Sequence, residues 1–350
     1  PSAPDNGSPD LPITFQAANY VSSTKAGGQS AFPTDQSFKV QAYYTGSATW
    51  ESVNSLDPTD FTLEDAVAYM EHAEVKYDSS TGKWAPTGQT YYWPKTGYLS
   101  FIGWANVPDE SSIDFDTDIF QVYFSDIDPV DGDFMLTDVA ADKTAGNSSN
   151  GVPMTFHHML AKVNFKAMAK NVDDGITHHV VLNSIKINDI GTIGDYKLDF
   201  TDPDNPKWNG WDTPSSFSDY NVYTNPSAAA AEIGDTIDGT LAGELGTSAS
   251  DPLLQDGQLV IPQELENKSV VELNYVIYFC NSAGKVLDKY TGSQEKYPIN
   301  TFSRNGTPIT TWEKNTIYTY TIVIDPNSDQ KITFIPEITD WSTADADQTI

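Results

Sequence analysis

Residues 152–166 read VPMTFHHMLAKVNFK, and this stretch divides the chain. Two short apolar runs, 154–156 and 159–165, meet at a paired His157 and His158. In the second run Val163 and Phe165 alternate with Lys162, Asn164 and Lys166, the two-residue period of a half-buried strand. Just upstream, residues 140–151 (AADKTAGNSSNG) are small, polar and turn-forming, and such a run cannot build a core. A loop of that make-up before a renewed strand pattern places a domain boundary within 140–152. Working outward, period-two segments greatly outnumber helical ones, so the expected fold class is all-β with a short helix and long loops. The expected divisions are a flexible tether at 1–10, an N-terminal domain at 11–150 and a C-terminal domain at 151–350.

At 350 residues the chain can bury a core in each of two domains. Its 49 acidic and 19 basic residues give a formal charge of −30, spread over both halves. A surface without a Lys/Arg patch repels nucleic acid and anionic membrane, so neither is expected as a partner. The single cysteine, Cys280, sits in VELNYVIYFC (271–280) and reads as a buried small hydrophobe. With no disulfide possible inside the chain, burial and sheet hydrogen bonds must hold the fold. No apolar run approaches the roughly 20 residues that span a bilayer. The opening PSAPDNGSPD reads as the start of a mature exported protein.

The first half begins with an apolar strand, LPITFQAANYV (11–21), whose Ile13 and Phe15 fall on one face. A small-residue stretch follows, SSTKAGGQSAFP (22–33), whose only charge is Lys25. It reads either as an ordinary surface loop or as a protease-accessible hinge. FKVQAYY (38–44) alternates again. Residues 62–70 carry a capping-box pair, Thr62 and Asp65, and apolar residues at helical spacing, which predicts a helix there, although 69–77 also alternates in part. DSSTG (78–82) predicts a hairpin turn, and TYYWP (90–94) and YLSFIGWA (98–105) predict aromatic-rich strands.

In the second half strands are expected at 161–169, 177–187, 196–200, 258–263, 271–280, 316–324 and 331–341, while 202–257 reads as long loops. The acidic stretches DFDTD (114–118) and DIDPVDGD (126–133) offer hard oxygen ligands for calcium, but no glutamate follows at the spacing of a twelve-residue calcium loop. The neighbouring pairs His157–His158 and His178–His179 point to opposite faces of a strand and chelate poorly. There is no phosphate-binding glycine loop, no G-x-S-x-G and no H-E-x-x-H. Neither an enzyme nor a cofactor or metal site is expected.

Taken in order, several segments resemble the fimbrillin family, the pilin subunits of Bacteroidales-type (type V) fimbriae. They are ITF (13–15) before Lys25, FKVQAYY (38–44), YMEHAEVKY (69–77), YYWPKTGYLSF (91–101), MTFHHMLAKVNFKA (154–167), QLVIPQ (258–263), WEKNTIYTYTIVI (312–324) and ITFIPEITDW (332–341). The resemblance implies two tandem β-sandwich domains of transthyretin-like topology. It also implies lipoprotein export to the outer membrane and assembly with other fimbrial subunits at the cell surface. In such a family a trypsin-like protease removes the first strand, and a strand of the next subunit fills the groove. Carried to this chain, cleavage falls at Lys25 and the released strand carries Ile13 and Phe15. A possible donor strand carries Ile332, Phe334 and Ile338 and repeats the Ile-Thr-Phe start. Arg304 is the only arginine, so an arginine-only protease cannot cut this hinge. The alternative class is a secreted carbohydrate-binding adhesin that binds a host or bacterial surface ligand and never polymerises.

Overall fold

Alternation of apolar and polar residues, wherever one face of a strand is buried, sets most of the observed elements. The computed structural model describes residues 11–19, 30–54, 67–107, 113–116, 121–199, 210–228, 230–250, 253–254 and 257–341. The strands of the first stretch are β1 (Phe15–Asn19), β2 (Ser30–Ala31), β3 (Ser37–Tyr44), β4 (Val67–Asp78), β5 (Lys83–Pro86) and β6 (Leu99–Ala105). Then come β7 (Ile113–Asp116), β8 (Gln121–Ile127), β9 (Met135–Thr137), β10 (Ala140–Lys143) and β11 (Val152–His158). They are followed by β12 (Ala161–Ala169), β13 (Thr177–Asp199), β14 (Gly210–Trp211), β15 (Ser216–Thr224), β16 (Gln258–Val260) and β17 (Gln263–Glu264). The last are β18 (Val270–Cys280), β19 (Val286–Pro298), β20 (Ser303–Arg304), β21 (Thr307–Pro308), β22 (Thr311–Trp312), β23 (Thr316–Ile324) and β24 (Ile332–Asp340). Among the described residues there is one short α-helix, α1 (Trp50–Asn54), capped by Thr49, whose Oγ1 accepts from Ser52 N–H. The chain is therefore mainly β, as its periodicity predicts.

The chain forms two compact units, one of Pro1–Leu160, Ile193–Thr213 and Asp340–Ile350, the other of Ala161–Thr192 and Pro214–Thr339. In the first unit the strands run β6-β3-β4-β5-β1-β11-β9, and β9 pairs back onto β6, so the ladder closes on itself. Closure removes the open edges along this circuit. Inside it lie Ile13, Phe15, Phe32, Phe38, Val40, Trp84, Phe101, Met154 and Phe156. A second set of rings in this unit links Trp104, Phe124, Phe134, Tyr196 and Trp211, at centroid separations of 5.1–6.1 Å.

In the second unit one sheet runs β16-β12-β23-β24, with β12 parallel to β23. The first part of β13 pairs with β18, and β18 with β19. Ala161, Val163 and Phe165 of β12, Tyr318 and Tyr320 of β23, and Leu182, Leu273 and Tyr275 from β13 and β18 share one buried cluster. Cys280 is fully buried, and burial together with the Glu244 carboxylate pushes its thiol pKa up, as an unreactive packing residue requires.

Four local expectations differ from the structure. Val67–Met70, expected in a helix, opens β4; residues 62–66 lie outside the described residues. The cause is a bulge. Val67 faces Tyr44 and Met70 faces Ala42, so one added residue on β4 sets Val67 and Met70 three apart across from two steps of β3 and imitates a helical period. Residues 90–94 contribute only an isolated bridge at Tyr92. The strand expected at 196–200 is the end of the continuous β13, with Phe200 outside the described residues. The stretch read as loops, 202–257, contains the nine-residue β15.

Candidate functional site

The first strand forms one link of the closed ladder, and the sequence shows how it is held. Ile13 and Phe15 are 1% and 2% exposed, and the Phe15 ring stands edge-on to Phe101 at 5.6 Å and to Phe38 at 6.1 Å. On one side β1 runs parallel to β11, from Phe15 opposite Val152 to Asn19 opposite Phe156. On the other side it is antiparallel to β5 only at Phe15–Trp84, and Ala18 and Asn19 pair with β2. Ile13 N–H donates to Tyr91 O (2.8 Å), Trp93 N–H to Leu11 O (3.0 Å), and Val152 N–H to Thr14 O (2.8 Å). Gly151, at φ +112°, makes the close approach to β11 possible. A Cβ there would lie 2.9 Å from the Phe15 carbonyl carbon.

Magnitudes show why attachment to the chain matters. Two fully buried apolar side chains stabilise the strand by about 3–6 kcal/mol. Ordering a free segment costs about 1–2 kcal/mol per residue in backbone entropy. While β1 is covalently joined to the domain, closure is intramolecular and faces a high effective concentration. Severed from it, β1 would be held only marginally. Its departure would leave unpaired backbone on β5 and β11 and uncover Phe38 and Phe101. Lys25 and the hinge around it lie outside the described residues, which resume at Ser30.

The other strand singled out in the sequence, β24, ends the sheet of the second unit beside β23. Ile332 is buried in the shared cluster, Phe334 stacks on Phe302 (3.9 Å between centroids, 14° between planes), and Ile338 packs partly against the same core. Ile335 on the opposite face is 54% exposed. Thus Ile13–Thr14–Phe15 and Ile332–Thr333–Phe334 place their apolar residues with the same alternation, although in this structure β24 completes its own sheet.

The histidines and acidic loops have local partners. His157 Nε2 lies 2.9 Å from Asp138, and His158 Nδ1 lies 2.6 Å from Asp133 with its ring stacked on Trp341 at 4.1 Å. His179 Nδ1 lies 2.8 Å from Glu244, and His178 Nε2 lies 3.4 Å from Asp174. Adjacent histidines therefore reach different carboxylates. Asp128 caps a 3-10 turn through Val130 N–H, and Asp195 accepts from Asp126 N–H. Asp114 is exposed on β7, and residues 117–118 lie outside the described residues. Among the described residues no group of three or more His, Cys, Asp or Glu side chains is arranged to hold a metal ion. No helix there is long and apolar enough to cross a membrane.

Surface carboxyls set an expected pH response. Lys76 holds Glu74 below the usual carboxylate range, Ser80 does the same for Asp78, Asn327 for Asp174, Lys186 for Asp219 and Lys170 for Asp325. A carboxyl lowered in the folded state contributes stability above its unfolded pKa and loses it as pH falls through the folded value. The net charge of −30 works in the other direction, since protonation relieves repulsion. Melting temperature is therefore expected to rise from pH 7 to about pH 5 and to fall below about pH 4. Thermal melts across this range at low and high salt check it. A steady fall from pH 7 downward, unchanged by salt, would contradict it.

The arrangement defines an all-β protein in which the first described strand is one link of a closed ladder. Residues 24–341 match the fimbrillin-like family, and the chain belongs to that family. A fimbrial protein from Bacteroides vulgatus shares the fold, with a TM-score of 0.62 at 17% identity over 94% of this chain and 99% of that one. The tip fimbrial protein Mfa3 from Porphyromonas gingivalis, with a C-terminal truncation, aligns over 95% of this chain and 100% of its own at 14% identity. Its TM-score is 0.40. No curated protein matches the sequence.

Proposed function

We propose that this chain is a structural or adhesive subunit of a cell-surface fimbria, joined to other subunits by replacement of β1. The observation that carries the reading is the place of β1 in the closed ladder, buried through Ile13 and Phe15 and paired by backbone on both sides. A trypsin-like protease cutting at Lys25 converts that strand into a separate peptide. Its loss opens a sheet edge to β-augmentation. The family match begins at residue 24, so β1 lies outside the matched region. A strand equivalent to β24 from a neighbour, presenting Ile332, Phe334 and Ile338, supplies the same alternation. A donor from another copy adds head to tail and builds an open fibre. Export as a lipoprotein places this assembly at the outer membrane.

The test compares the natural chain with Lys25→Gln during treatment with a trypsin-like protease. Ladders of polymer on a non-denaturing gel are expected only where the first strand is released, hence not for Lys25→Gln. If both proteins stay monomeric after clean removal of the strand, or both polymerise without it being cut, strand replacement is wrong. Persistent monomers that bind on a glycan array would instead favour a non-polymerising adhesin.

A further inference from the structure

Strands β18 and β19 form an antiparallel pair with a shift in register between Leu273 and Tyr275. Ile277 faces Tyr290, and Tyr275 faces Gly292. Gly292 has no side chain for a reason visible at once: a Cβ there would lie 2.2 Å from Tyr275 Cε1. The Tyr275 ring therefore lies across the glycine and meets Tyr290 diagonally, 6.0 Å between centroids and 37° between planes. All three tyrosines of this corner converge on one carboxylate. Tyr275 donates to Glu295 Oε2 (3.1 Å), Tyr297 donates to the same oxygen, and Tyr290 donates to Oε1 (2.9 Å).

We propose that Tyr275, Tyr290 and Tyr297, gathered on Glu295, form an oxidative cross-linking site at which a carbon–carbon bond between Tyr275 and Tyr290 staples β18 to β19. Tyr290 is 37% exposed and so reachable by an oxidant, while Tyr275 is fully buried and shielded from tyrosines of other molecules. The co-reactant is a one-electron oxidant of the haem-peroxidase class, with hydrogen peroxide as terminal acceptor. Each phenol gives one electron to the oxidant and one proton to the Glu295 carboxylate, which passes it to water. The two phenoxyl radicals join at carbons ortho to their oxygens. The ring hydrogens then move to those oxygens and restore both phenols. Overall two hydrogens leave the protein and one peroxide becomes two waters.

Two electrostatic features bear on the step. Burial raises the Tyr275 and Tyr297 phenols, and the Glu295 hydrogen bond raises Tyr290, so loss of a proton alone is suppressed. Electron loss coupled to proton transfer along an existing hydrogen bond remains open. Lys331 Nζ, 5.4 Å over the Tyr290 ring, opposes electron loss, and the carboxylate bound to the same phenol offsets it. The chain has one cysteine, so this staple is available where a disulfide within the chain is not.

The experiment treats the full chain, at dilution, with a haem peroxidase and hydrogen peroxide. Tryptic cleavage after Lys289, Lys296 and Arg304 then places the three tyrosines on separate peptides. The expected product is a monomer with dityrosine fluorescence, containing a joined pair of peptides that is two hydrogens lighter than their sum and is linked through Tyr275 and Tyr290. Tyr290→Phe, which keeps the ring, should abolish that pair. Glu295→Gln should slow its formation about tenfold or more, while Tyr92→Phe should leave it unchanged. The proposal is overturned if the main bond joins other tyrosines, Tyr297 included, if it links separate molecules, or if the rate is unaltered in Glu295→Gln.

Discussion

Phe15→Ala is expected to destabilise the first unit by about 3–5 kcal/mol, the cost of removing a large ring from a core that cannot fully collapse around the void. The ring is 2% exposed and its loss forfeits two edge-on aromatic contacts, with Phe38 and Phe101. Because Phe15 is also the residue through which β1 meets β5, the ladder is weakest there. Denaturant titration followed by near-UV circular dichroism measures the change. Phe334→Ala on β24 is the comparison. That ring stacks on Phe302 but is only partly buried, so its truncation should cost less. After cleavage, a chain carrying Phe15→Ala should also exchange β1 for an added Ile-Thr-Phe peptide faster than the natural chain. A loss below about 1 kcal/mol would mean that β1 contributes little to this core, and the strand-replacement reading would lose its physical basis.

Trp341→Ala is expected to cost a similar amount, about 3–5 kcal/mol. Trp341 is 3% exposed and lies flat on His158, 3° from parallel, and His158 is itself bound to Asp133 at 2.6 Å. Truncation opens this buried pair to water and frees the chain just beyond β24. Trp341→Phe retains a ring over His158 and should recover much of the loss. Thermal denaturation and the rate of proteolysis near residue 341 read the two effects. Equal stability of both variants would show that packing around the indole, rather than the stack on His158, fixes this end.

Strands such as β12 and β23 were legible because one face of each is buried and the other mostly is not. In β12 the buried residues Ala161, Val163, Phe165, Ala167 and Ala169 fall at every second position. The thirteen residues of β19 carry no such signal. Only Val286 and Gly292 are fully buried along it, so its sequence shows no two-residue period. The candidate site was legible in its apolar residues, Ile13 and Phe15, but their neighbours were not. Nothing local in the sequence says that a five-residue strand pairs in parallel with residues far along the chain.

The sequence by itself determined what depends on short-range periodicity: a mainly β chain, its principal strands, and the opposed directions of paired histidines. Only the tertiary structure decided that β9, three residues long, closes the first unit's ladder, and that Tyr275, Tyr290 and Tyr297 meet on one carboxylate. Both are pairings between residues far apart in the chain, and the tyrosine corner also rests on a bulge. Between the pairs Leu273–Glu295 and Tyr275–Gly292, β19 carries one residue more than β18, beside Gln294 at φ +51°, and only long-range packing fixes where that residue falls.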